Sequence, residues 1–94
     1  MASELAAPLR YFLTYRGVGL PLQLAEELPA DALGHRNTYF RAAFDEAGRM
    51  LWVEKLVYGE VEMRHSYQWV DGRLRRATVW QGDEDEARDI ELPA

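Results

Sequence analysis

The pair Asp71-Gly72, set between Val61–Val70 and Arg73–Trp80, constrains this chain more than any other feature. Both flanks are rich in β-branched and aromatic residues. A type I′ turn needs positive φ at its two central residues, which Asp-Gly tolerates. A two-residue loop fixes the register of the hairpin, and register decides which side chains share a face. The rest of the chain reads outward from there. Leu9–Arg16 is a β-forming run closed by Gly17 and Gly19. Leu20–Leu24 alternates, but Pro21 confines it to an edge strand or an extended arm, an edge through which two copies could pair as a homodimer. Pro29–Leu33 followed by Gly34 reads as one or two helical turns. Asn37–Phe44 and Arg49–Tyr58 are strands joined by the turn Asp45–Gly48, and Gly59-Glu60 supplies a tight II′ turn into Val61. The expectation is a mainly β fold, a single curved antiparallel meander of about five or six strands with one short helical turn near 29–34. A half-open barrel and a sheet covered by its own N-terminal arm both fit.

Composition narrows the setting. Hydrophobic residues make up 48% of the 94, ample for a packed core. There is no cysteine, so disulfides, thiolate metal sites and a cysteine nucleophile are excluded, and a reducing, cytoplasmic location is expected. Residues 1–8 have no basic n-region and no long apolar run, which reads as a flexible N-terminus and not a signal peptide. No stretch approaches the roughly 18 apolar residues of a membrane helix. The formal charge of −5 is local: residues 1–81 carry ten acids against ten bases, while 82–94 carry six acids against Arg88 alone. That divides the chain into a β-rich domain over 9–81 and an acidic C-terminal tail over 82–94. A neutral body with an acidic tail argues against nucleic-acid binding, which needs a basic surface.

Phe44-Asp-Glu-Ala-Gly-Arg-Met50 and Trp69-Val-Asp-Gly-Arg-Leu74 share an aromatic, Asp, Gly-Arg, apolar pattern. They resemble the hairpin units of tyrosine-aspartate (Rhs-type) repeat proteins, a likeness of turn chemistry that covers only these two turns. Asn37-Thr-Tyr-Phe-Arg-Ala42 is similar to a segment of short uncharacterised bacterial proteins. That resemblance implies no activity.

With two-residue loops at both turns, Trp69 faces Leu74, Tyr67 faces Arg76, His65 faces Thr78, Glu54 faces His65 and Trp52 faces Tyr67. One face then collects Met50, Trp52, Leu56, Met63, Tyr67, Trp69 and Trp80, either as a filled core or as an open aromatic cup. Glu54 beside His65 could orient the imidazole as a catalytic dyad does, or the two could simply satisfy each other in the core. His35 and His65 are the only histidines, and no short His spacing marks a metal site. No phosphate loop, nucleophile elbow or calcium loop occurs, so no cofactor is expected. Arg64, Arg73 and Arg75 form a basic face, and Asp83, Glu84, Asp85 and Glu86 either fold back onto it or meet a basic partner.

Two functions fit. The first is a small non-enzymatic protein–protein interaction module (adaptor, inhibitor or immunity-type) using a sheet face, the acidic tail or both. The alternative is a small-molecule binder or cofactorless enzyme with an aromatic cup around Glu54 and His65. The candidate residues are Trp52, Glu54, His65, Tyr67, Trp69 and Trp80.

Overall fold

Residues 9–17 and 19–92 are described by a computed structural model; the expected flexible segment 1–8 lies outside them. Strands β1 (Leu9–Arg16) and β2 (Gln23–Leu28) form a hairpin, and a 3-10 helix (Ala30–His35) leads into β3 (Thr38–Phe44). Then β4 (Met50–Val57), β5 (Glu60–Val70), β6 (Arg73–Gln81) and β7 (Arg88–Glu91) follow as a meander. The seven strands make one open sheet in the order β2-β1-β3-β4-β5-β6-β7. Every neighbouring pair is antiparallel, and β2 and β7 are the edges.

The turn chemistry explains the hairpins. Asp71 and Gly72 take φ of 53° and 76°, the signature of a type I′ loop, and Val70 and Trp69 pair with Arg73 and Leu74 as expected. At the preceding turn the loop is Tyr58-Gly59, with φ of 51° and 82°, and not Gly59-Glu60. Val57 therefore pairs with Glu60. At Asp45–Arg49 the Asp45 side chain accepts the backbone N–H groups of Ala47 and Arg49, each at 2.9 Å, holding the turn from inside.

The strand beyond the expected five or six comes from the acidic stretch. Residues 88–91 pair with β6 as β7, so this part of 82–94 is sheet and not an appended tail. Ile90 lies opposite Ala77 and packs against the core, while Asp89 and Glu91 face the other way. A strand of four residues with one apolar member leaves little periodicity to read. At the other edge, β2 begins at Gln23, beyond Pro21, which has no N–H to give to a ladder. Residues 19–22 are a strap over one sheet face, where Leu22 is buried and Leu20 packs on the core, as does Leu24 at the start of β2.

Three register shifts interrupt the ladders, at Ala43/Phe44, Lys55/Leu56 and Gln68/Trp69. Each is one extra residue on one strand: Leu51 on β4, Glu62 on β5 and Arg75 on β6. Because strand side chains alternate, each insertion exchanges the faces of everything beyond it. The core lies on the strapped face and includes Phe12, Phe40, Val53, Met63, Tyr67 and Val79. Val53 and Ala42, directly opposite each other, are 0% exposed.

Gly72→Val is expected to lower stability by about 1–3 kcal/mol, since a β-branched residue resists the left-handed region. Urea denaturation checks this; an unchanged midpoint would mean that the hairpin does not depend on its I′ loop.

Candidate functional site

The register shifts separate residues that simple alternation would place together. Glu54 pairs with Arg64 and lies on the unstrapped face; Val53, not Glu54, is opposite His65. The Glu54–His65 dyad is therefore absent. Trp52 lies opposite Ser66 and Trp80 opposite Arg64, so both belong with Glu54, while Tyr67 and Trp69 stay on the core side. The expected aromatic cup is split between two faces of the sheet.

On the unstrapped face, Tyr11, Arg41, Glu54, Arg64 and Trp80 are successive cross-strand partners over β1, β3, β4, β5 and β6. Arg41 Nε donates to Glu54 Oε1 at 2.7 Å and Arg64 Nε to Glu54 Oε2 at 2.8 Å. Glu54 is buried at 7% exposure, whereas the side chains of Arg41 and Arg64 are 34% and 51% exposed. Burial works to raise the Glu54 pKa, but the two guanidinium hydrogen bonds and their charges outweigh it and hold the carboxyl below its ordinary value. Glu54 thus stays ionised and fixes two arginines at solvent. Tyr39 meets Tyr11 edge-on at 6.2 Å beside this row, and Trp52 lies on the same face two residues before Glu54. Thr78 bonds Asp89 at 2.8 Å and Arg76 bonds Glu91 at 2.6 Å toward the β7 edge.

The acidic segment sits at the Trp80 end. Asp83–Glu86 connects β6 to β7, with the Trp80 indole N–H donated to the Glu84 carbonyl at 3.2 Å. Glu84 pairs with Arg88 at 3.8 Å, and Asp83, Asp85 and Glu86 are exposed. The segment does not fold onto the expected basic face: Arg64 is taken by Glu54, and Arg73 and Arg75 are exposed without an ion pair among the described residues.

His65 belongs to the core. Its Nδ1 is 2.7 Å from the Tyr67 hydroxyl, which accepts the Leu22 backbone N–H at 3.1 Å. The proton arrangement that satisfies all three has Leu22 donating to Tyr67 and Tyr67 donating to a neutral His65. Burial pushes the His65 pKa down and the Tyr67 pKa up to about 12, so both remain uncharged. This chain of bonds ties the strap to β5. It acts as a clamp. Among the described residues no three His, Asp or Glu side chains gather in a group that could hold a metal.

Sequence reasoning missed Arg41 and Tyr11. Arg41 reaches Glu54 only because Leu51 adds a residue to β4, and nothing local in the sequence announces that insertion.

A family model described as "Family of unknown function (DUF6156)" matches residues 4–92. The chain belongs to this family. The match fits the similarity to uncharacterised proteins and does not support the likeness to Rhs-type repeats. No curated protein and no solved structure matches the chain.

Because the folded pKa of His65 lies below its unfolded value, the unfolded state binds the extra proton first. Its contribution to stability is complete above about pH 6.5 and drains as the pH falls below it, by at most about 1.4 kcal/mol per pH unit. Urea midpoints at pH 7.5 and 5.5 should differ in the native protein and differ less in His65→Leu. Glu54→Gln should cost about 1–2 kcal/mol at pH 7, discounted for the exposure of both arginines. Since the folded pKa of Glu54 is depressed, that difference should vanish as the pH falls through it, below about 4.5.

Proposed function

We propose that this protein is a small non-enzymatic protein–protein interaction module, binding its partner with the unstrapped sheet face and the acidic β6–β7 connection. The observation that carries the reading is the row Tyr11–Arg41–Glu54–Arg64–Trp80. Tyr, Trp and Arg are the residue types that dominate binding energy at interfaces. Here the arginines are already immobilised by a buried carboxylate, so ordering them on association costs little. Arg64 keeps half of its side chain at solvent, and Trp52 extends the aromatic surface.

The neighbouring charges give the surface polarity. Two guanidiniums share one carboxylate, leaving an excess of one positive charge at the centre of the row. Asp83, Asp85 and Glu86 put three negative charges beside Trp80. A fitting partner offers an acidic or carbonyl-rich patch to the arginines and a basic patch to the loop. Such complementarity acts on encounter rate and orientation more than on raw affinity. The absence of cysteine supports a cytoplasmic setting for this encounter.

The test is quantitative capture with tagged protein from lysate of the source organism, followed by titration of the captured partner. Trp52→Ala should weaken the complex at least tenfold with little change in melting temperature, as the loss of an aromatic anchor from an interface does. Replacing Asp85 and Glu86 by Ser should slow association and reduce its dependence on salt. A partner held equally well by both variants, or no stoichiometric partner at all, would sink the proposal.

A further inference from the structure

The strap covers only part of the core face. Between it, the start of β1 and the β3–β4 turn lies an open depression of about 360 Å³, near the lower end of the volumes that hold small ligands. Phe12 and Met50, each 6% exposed, form its floor, and the half-buried rings of Phe44 and Trp69 line it. The Trp69 indole N–H is already donated to the Met50 carbonyl at 2.8 Å, which pins the ring and leaves its carbons as lining.

Its charged lining is of one sign. Arg10 and Arg49 contribute to the wall, and no acidic residue does. Arg10 is held by Glu27 through Nε and Nη2 at 2.9 and 2.8 Å, with its guanidinium carbon 5.4 and 4.8 Å from the Phe12 and Phe44 ring centres. Arg49 is held by Asp45 through Nε alone at 2.9 Å, so its terminal nitrogens keep their donors. Asp45 spends its other oxygen on the turn. The two carboxylates thus position the cations from outside the cavity, while the cations themselves line it.

We propose that this depression binds a small organic anion with an apolar body, of the aromatic or branched aliphatic carboxylate class. The apolar body lies on Phe12, Met50 and Trp69, and the anionic head takes the terminal donors of Arg49, with Arg10 adding charge. A cation of the same shape would meet two guanidiniums, and a neutral analogue would leave the Arg49 donors without a charged partner. The site is on the opposite face from the proposed protein interface, and the two stand or fall separately.

The probes are 2-naphthoate and its neutral counterpart 2-naphthamide, titrated into isotope-labelled full-length protein. The Met50 methyl and the Trp69 indole N–H are followed by NMR. Naphthoate is expected to shift both signals saturably and to bind at least fivefold more tightly than the amide. Raising the salt should erode that preference, Arg49→Gln should reduce it to less than twofold, and Arg49→Lys should keep most of it. Equal binding of acid and amide to the native protein, or shifts that avoid Met50 and Trp69, would overturn the proposal. So would no saturable shift up to millimolar probe. The acid–amide comparison and its salt dependence use native protein, so the test survives even if Arg49→Gln weakens the β3–β4 turn.

Discussion

A strand alternates its side chains between two faces with a period of two, so one extra residue exchanges everything that follows it. That parity governs this sheet. Leu51, Glu62 and Arg75 are each unmatched by the strand opposite, and the three insertions together decide which aromatic residues enter the core and which stay outside. Without them, Glu54 would share a face with His65. With them, a carboxylate that would be costly against Phe40 and Val79 instead lies between two arginines whose ends reach water.

Glu54 and His65, the buried ionisable side chains among the described residues, are handled by opposite strategies. Glu54 keeps its charge because two guanidiniums compensate for lost hydration. His65 gives up its charge because burial disfavours the imidazolium, and the Tyr67 hydroxyl meets its Nδ1. The first arrangement stiffens a surface and the second fastens the strap, which has no ladder of its own with the strands it covers. Tyr67 does two jobs through one oxygen, accepting from Leu22 and donating to His65. Phenylalanine there would leave a buried backbone N–H without a partner.

Much of the architecture could be read from the residues because turns are local. Asp71-Gly72 marks its hairpin, Asp45–Gly48 its turn, and Pro29 with Gly34 the 3-10 helix. Where the assignment of faces fails, the cause is parity. At Tyr58-Gly59 the sequence Tyr-Gly-Glu allows loops one residue apart, and a left-handed Tyr is the less expected choice. The insertions at Leu51, Glu62 and Arg75 carry no glycine to mark them, and each moved a candidate residue to the other face. The strand Arg88–Glu91 was masked by charge: three of its four residues are ionic, yet Glu91 and Asp89 find Arg76 and Thr78 across the pair. Arg41, Tyr11 and Arg49 were invisible as site residues because their importance comes from neighbours distant in sequence.

Glu26, within the edge strand β2, has a φ of 61°. A left-handed residue in a strand turns its peptide groups out of line, so the outer margin of β2 does not present the regular row of donors and acceptors that another strand would copy. The margin opposite, β7, is four residues long and mostly charged. An open sheet with two such margins is a poor template for growth. The same seven strands that leave one broad face uncovered thus offer no long regular backbone row at either margin, and what that face presents to solvent is side chains.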